Sequence, residues 1–226
     1  MINIFIGYDT KETVAYHVCS NSIIRQATQP VSIIPLALNL LDDYTETHTD
    51  TSNEFVYSRF LVPHLMNYNG WAIFIDGDMV LQDDIANLWN LRDDSKAVMV
   101  VKHDYKTKQP IKYLNAKNED YPRKNWSSVI LWNCNHPAHK ILSPKIVQSS
   151  TGQYLHRFSW ISDSDIGDLP IEWNWLADEY GVNTSAKLIH YTLGTPCFEE
   201  FKDSPMSNLW HTEAEYINDY RNRNRV

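Results

Sequence analysis

Apolar residues arrive along this chain in short bursts separated by polar turns. The first burst, residues 2–7 (INIFIG), reads as a buried strand that ends at Tyr8-Asp9. Asp9 and Glu12 then have capping-box spacing, which predicts a helix running to about Ala27 with Val14, Val18 and Ile24 facing inward. Residues 31–38 predict a second strand, placed at a sheet edge or broken by Pro35, because proline has no N–H for a ladder. Residues 42–53, DDYTETHTDTSN, have no apolar period and read as a solvated loop. A helix is expected from about residue 53, carrying Phe55, Tyr57, Arg59, Phe60 and Leu61 and kinked at Pro63.

Residues 71–81, WAIFIDGDMVL, read as a further strand, followed by a helix capped at Asp83 or Asp84 with Ile85, Leu88 and Trp89 inward. Residues 96–101 and 128–132 again have strand character, and between them 105–125 form a lysine- and asparagine-rich excursion. Strands alternating with helices predict an α/β fold with a Rossmann-like, mostly parallel central sheet, helices on both faces and an irregular C-terminal region. No repeat or linker divides the chain, so 1–226 is expected to be a single domain.

Composition narrows the function. With 43% hydrophobic residues among 226, the chain can bury a full core. A net charge of -8 argues against nucleic acid as a partner, which would call for a basic face. An acidic protein can still handle anionic substrates when a divalent cation neutralises them. Cys19, Cys134 and Cys197 are odd in number and widely spaced, which predicts buried or free thiols in a reducing compartment. The start carries no basic n-region and no run is long enough to span a membrane, so a cytoplasmic location is expected. None of the seven glycines forms GxGxxG or a P-loop, so any grip on phosphate must come from elsewhere.

The interruption of 71–81 by Asp76-Gly77-Asp78 is the strongest chemical signal. Ligands of open α/β sheets bind beyond the carboxyl ends of the strands, where this pair falls. Alternate residues of an extended segment point the same way, so both carboxylates can converge on one cation, and Gly77 leaves room for a ligand. Mg²⁺ or Mn²⁺ prefers such hard oxygen donors. The competing reading is a strand-ending turn, since Asp and Gly favour turns.

With this placement the chain resembles GT-A-fold glycosyltransferases, closest to family 8. NIFIGYD looks like the family's first strand, YSRFLVPHL like its Tyr/Arg helix, FIDGDMVLQDDIANLWNL like its DxD strand and following helix, SSVILWN like the strand lining the donor sugar, and LIHYTLGTP like its C-terminal histidine–glycine motif. The resemblance implies a hexosyltransferase-type enzyme that moves a sugar from a UDP- or GDP-sugar to a hydroxyl acceptor, with retention. It implies that Asp76, Asp78 and His190 hold Mn²⁺ or Mg²⁺. Tyr8 and Asp9 would meet the nucleoside, while Arg59, Gly77, Ser128 and Gly194 would line the donor. Residues 1–104 would form the nucleotide- and metal-binding half, and 105–226 the acceptor side.

The chain also departs from the family's pattern. Gly194 stands one residue later than the motif's glycine, and Thr195-Pro196-Cys197-Phe198 replaces its Lys-Pro-Trp, so the diphosphate-binding lysine is missing there. The acidic DQD element is absent too. YLHRFSW takes its place and offers His156 and Arg157, cations suited to phosphate or an acidic acceptor. The segment WISDSDIGDLPIEWNWL sets Trp160, Trp173 and Trp175 among Asp163, Asp165, Glu172 and Asn174. Aromatic faces beside polar groups suit sugars, so Asp163, Glu172, Trp173 and Asn174 are candidate acceptor contacts; core filling is the competing role for the tryptophans. Two alternatives remain on these residues. One is a haloacid-dehalogenase-like phosphatase, whose DxDx[T/V] motif Asp76 to Val80 fits, although two strand–helix units precede it here. The other is a nucleotide-sugar-binding module that has lost its chemistry.

Overall fold

The computed structural model describes residues 1–49, 52–112 and 117–218. The chain opens with β1 (Ile2–Gly7), α1 (Thr13–Gln26) and β2 (Val31–Leu36), then α2 (Val62–Leu65), β3 (Trp71–Ile75), β4 (Met79–Leu81) and α3 (Ile85–Trp89). It continues through β5 (Val98–Val100), β6 (Val129–Asn133), α4 (Pro144–Ser149), α5 (Gly152–His156), β7 (Ile166–Asp168), β8 (Trp175–Leu176), α6 (Ala177–Tyr180), β9 (Leu188–His190) and α7 (Ser207–Asn218).

The main sheet has the order β2-β1-β3-β6-β5-β7. β1 lies parallel to both β2 and β3, β5 lies parallel to β7, and β6 runs antiparallel between β3 and β5. Side chains of successive residues go to opposite faces and both faces are covered, which is why the strands read as unbroken apolar runs. Phe5, Phe74, Ile130 and Trp132 join one core with Tyr57 and Phe60, while Ile4, Ile6, Ile73, Ile75 and Leu131 join the other with Ile85, Leu88 and Trp173. Pro35 sits in β2, an edge strand, as the missing N–H requires.

The 71–81 run is two strands, not one. After Ile75 the chain leaves the main sheet, and β4 joins a second sheet of order β4-β9-β8. α1 packs against β4, and its Ser22 hydroxyl accepts the N–H of Leu81 at 3.0 Å. That close approach explains a misreading of the helix. α1 turns Ala15, Val18, Cys19, Ser22 and Ile23 inward, a face rich in small residues, and leaves Val14 and Ile24 exposed.

Other expectations are corrected in detail. Residues 42–49 are not simply solvated: Tyr44 is buried, and the His48 ring stacks on Tyr57 with centroids 3.4 Å apart. Residues 50 and 51 of that loop lie outside the described residues. In place of a long helix from residue 53 there are turns and then the short α2, which has Pro63 in its first turn, where the missing N–H has no helical partner to lose. Asp84, not Asp83, caps α3, and Ile85 and Leu88 are buried while Trp89 is half-buried.

Gly77 is fixed by the fold itself. A Cβ there would stand 2.4 Å from the carbonyl oxygen of Gly7, at the end of β1, so the clearance serves the backbone and not a ligand. Gly77→Ala should therefore destabilise the protein by about 1–3 kcal/mol in chemical denaturation, the usual cost of overpacking. An unchanged unfolding midpoint would mean that these two turns do not abut.

Candidate active site

Three elements converge at the carboxyl end of β3. Asp76 continues from β3, its N–H bonded to the Ser128 carbonyl at 2.9 Å. Asp78 immediately precedes β4, and the antiparallel register of β4 and β9 pairs Met79 with His190. The Tyr191 N–H closes that ladder on the Asp78 carbonyl at 3.1 Å. One ligand atom from each of Asp76, Asp78 and His190 then falls within 4.8 Å of the others. His190 Nε2 is 3.3 Å from Asp78 Oδ1 and 4.0 Å from Asp76 Oδ2.

The orientation of His190 is set behind it. Its Nδ1 lies 3.0 Å from Asn174 Oδ1. The amide nitrogen of Asn174 donates to Ser128 Oγ at 2.8 Å and to the Asn125 carbonyl at 3.2 Å, so the oxygen must be the end that faces the ring. Nδ1 therefore carries a proton, and Nε2 faces the carboxylates. Asn125 delivers its carbonyl from a left-handed conformation, φ 60°, which asparagine tolerates.

The charges are buried and partly unanswered. Arg59 is 4% exposed; its Nε donates to the Phe55 and Val56 carbonyls and its Nη1 to the Ser127 carbonyl, and it forms an ion pair with Asp76 Oδ1 at 2.7 Å. Even so, neither Asp76 Oδ1 nor Asp78 Oδ1 has a partner in hydrogen-bond geometry. Burial raises the Asp76 carboxyl above its usual range despite Arg59, and Asp78 adds to the rise. Burial opposes ionisation of Asp78 as well, but His190 and Lys112 outweigh it and hold that group low. A histidine nitrogen facing two carboxylates, two of whose oxygens stand outside hydrogen-bond geometry, is a donor set that a hard divalent cation fits.

The other predicted residues fall into three groups. Arg59, Ser128 and His156 join Asp76, Asp78 and His190 around a cavity of about 100 Å³. Ser128 acts there through Asn174, and burial among Phe60 and Tyr57 pushes His156 down to about 3, so the expected cation at 156 is a neutral ring bonded to Ser127 Oγ. Arg157 lines a larger neighbouring cavity. Tyr8 is half-buried at the end of β1, with its hydroxyl 3.4 Å from Thr13 Oγ1. Asp9 is buried and accepts the Lys11 and Glu54 N–H groups, so its carboxylate ties two loops together and makes no capping box with Glu12.

Gly194 is buried in a turn, its N–H on the Tyr191 carbonyl. Of the proposed sugar contacts, Trp173 is 2% exposed within the core, Asn174 is fully buried behind His190, Asp163 is exposed and paired with Arg123, and Glu172 lies in a 3₁₀ turn away from the cavity walls. One contributor escaped the sequence reading, and a second, Asn174, was expected there in a different role. Lys112 lines the cavity and acts on both aspartates, and Asn174 serves as the histidine's anchor. Nothing local marks the lysine; its loop only folds over the site in three dimensions. The three cysteines are free, Cys19 and Cys134 buried and Cys197 exposed.

A central sheet that releases a DxD turn into a small second sheet, with a histidine from that sheet facing the acids, defines the GT-A class of glycosyltransferases. The profile described as Glycosyl transferase family 8 matches residues 5–140, and the chain belongs to that family and is a glycosyltransferase. It is 44% identical over 224 residues to Protein CDI of Arabidopsis thaliana, covering 95% of this chain and 86% of that protein. Among solved structures it superposes on the bifunctional glycosyltransferase WbbM with a TM-score of 0.66 and 16% identity, over 94% of this chain and 49% of that one. It superposes on the galactosyltransferase LgtC with a TM-score of 0.58 and 12% identity, over 95% and 96%. The chain thus spans about half of WbbM and nearly all of LgtC, and at these identities both show the fold alone. The family match does not favour the phosphatase alternative. No helix among the described residues is long and apolar enough to cross a membrane.

Beside this site, Glu12 is 8% exposed and accepts both the N–H and the hydroxyl of Thr195. Burial, with Asp78 nearby, raises its carboxyl from 4.5 to about 7. A carboxyl raised on folding favours the folded state at low pH, and that advantage disappears as pH rises from about 4.5 through 7. In chelator, Glu12→Gln should therefore stabilise the protein by up to ~3 kcal/mol at pH 8 and change it little at pH 4.5. Equal effects at both pH values would sink the assignment.

Proposed function

We propose that this protein transfers a sugar from a UDP- or GDP-sugar to a hydroxyl acceptor, using Mn²⁺ or Mg²⁺ held by Asp76, Asp78 and His190. The observation that carries this is the convergence of three ligand atoms within 4.8 Å on a site where one oxygen of each aspartate stands outside hydrogen-bond geometry. The bound ion would supply Lewis-acid stabilisation of the charge that builds on a departing diphosphate. Arg59 adds a fixed positive charge, pre-positioned by three carbonyls so that it need not reorganise. Tyr8 and Asp9, at the end of β1, are assigned to the nucleoside.

In the transfer the anomeric carbon–oxygen bond to the diphosphate breaks and a bond to the acceptor oxygen forms. The acceptor hydroxyl releases its proton. Inversion would need a base on the far face of the sugar. Apart from Asp76 and Asp78, no carboxylate among the described residues lines the small cavity, and His156 is too weak a base at about 3. Retention follows as the reading, with the departing phosphate oxygen as the proton's destination. A single domain is proposed in which 1–104 bind donor and 105–226 receive acceptor, with His190 crossing that line to complete the donor site.

Purified protein should turn over a UDP- or GDP-sugar only with Mn²⁺ or Mg²⁺ present, and Asp78→Ala should abolish turnover. Persisting wild-type activity in chelator would remove the metal from the proposal. Asn174→Ala frees the His190 ring, and calorimetry should show Mn²⁺ affinity reduced about 10- to 100-fold, the usual effect of losing a partner behind a ligand. An unchanged affinity would place His190 outside the ligand set.

A further inference from the structure

Next to the acid cluster lies a chamber of about 780 Å³, within the range of small-molecule sites. It shares Val56, Lys112, Tyr121 and His156 as walls with the smaller cavity that holds Asp76, Asp78 and His190. The protein carries a net charge of -8, yet this chamber is lined by Lys112, Lys117, Lys124 and Arg157, with Glu119 as the one carboxylate among its described walls.

The local charges can be paired off. Arg59 and Lys112 offset Asp76 and Asp78, and Lys117 lies 3.9 Å from Glu119. Lys124 and Arg157 are left over. Lys124 is 7% exposed and donates only to neutral oxygens, Asn118 Oδ1 at 2.6 Å and the Glu119 carbonyl at 2.8 Å. Burial, then repulsion from Lys112, lowers it to about 8, although Asp120, Glu179 and Glu119 act the other way from beyond hydrogen-bond reach. The Arg157 guanidinium has no hydrogen-bond, ion-pair or ring partner among the described residues; only its backbone is engaged, its N–H by the Leu155 carbonyl and its carbonyl by Arg123. A planar guanidinium and a buried ammonium facing one cavity are a recognition pair for phosphate or carboxylate. Tyr8 and Asp9 are not among its walls, so the nucleoside is not its occupant.

We infer that this chamber receives the acceptor, and that the acceptor bears an anionic group, phosphate or carboxylate, held by Arg157 and Lys124 while its hydroxyl reaches toward the acid cluster. This rests on the glycosyl transfer proposed above. It extends that reading by naming the acceptor's class.

Calorimetry on the full chain, with saturating Mn²⁺ and UDP or GDP, separates the possibilities using glucose, glucose 6-phosphate and glucuronate as probes. At least one of the two anionic probes should bind at least tenfold more tightly than glucose, weaken between 50 and 300 mM NaCl, and lose at least fivefold in affinity in Arg157→Gln. Lys124→Gln should act in the same direction, with its melting temperature monitored because that ammonium is buried. Which anion binds better tells phosphate from carboxylate. Nucleotide affinity should be unchanged in Arg157→Gln. Three results overturn the inference: glucose and both anions binding alike or not at all, an anion that displaces the nucleotide, or Arg157→Gln weakening the nucleotide instead of the anionic sugar. Because sugar binding and nucleotide binding are read separately, absence of nucleotide binding would count against the proposed function while the response of the anion to Arg157→Gln still tests the chamber.

Discussion

The candidate active site depends on one register: Met79 of β4 opposite His190 of β9. The two residues are more than a hundred positions apart in sequence, and an antiparallel ladder of three residue pairs holds them side by side. A slip of one residue would turn His190 to the opposite face of the small sheet. Several contacts prevent it. The Asp78 carbonyl is bonded by Tyr191, α1 seals the outer edge of β4 through Ser22, and Gly77 lies too close to Gly7 for any side chain. The convergence of Asp76, Asp78 and His190 is thus a by-product of how β3 hands the chain over to β4.

Holding two carboxylates in so dry a place has an electrostatic cost, and the surroundings are arranged to offset it. Arg59 is fixed by backbone carbonyls before it meets Asp76, so little side-chain entropy is lost on pairing. Its position differs from that of a surface ion pair, whose worth is small. Pairing does not replace the water these groups have lost, as the raised Asp76 shows. Two dry carboxylates beside a histidine nitrogen suit a divalent ion better than an apolar or neutral ligand.

Much of this was legible in the sequence. The β1 and β3 runs, a helix cap at Asp83 or Asp84, and Pro35 at an edge or a break all follow from local chemistry, and the fold class follows from the alternation of strands and helices. The acid pair was legible because a strongly apolar strand ended on it. What failed to read failed for tertiary reasons. α1 presents a small-residue face because β4 comes close, so its larger residues Val14 and Ile24 point to water, against the usual pattern. Trp173 and Asn174 looked like a sugar platform, but a 3₁₀ turn directs the first into the core and the second against His190. Lys112 carried no signal at all, since a lysine in a polar excursion is ordinarily solvated.

The departures in the C-terminal motif fit the same picture. After His190 the described chain does not turn a cation toward the site. Thr195 closes on Glu12, Leu193 takes an Asp178 oxygen, and the Tyr191 hydroxyl donates to the Met206 carbonyl ahead of α7. The segment is committed to packing β9 against α1 and α7, and the one ionisable group it engages most closely is an acid held near neutral. Positive charge near the acid cluster then comes from elsewhere, from Arg59 on one side and from Lys112 and Lys124 on the other. A motif lysine at one sequence position is replaceable, because a charge acts through its distance from the reacting atoms and the dielectric between them, whichever stretch of chain delivers it.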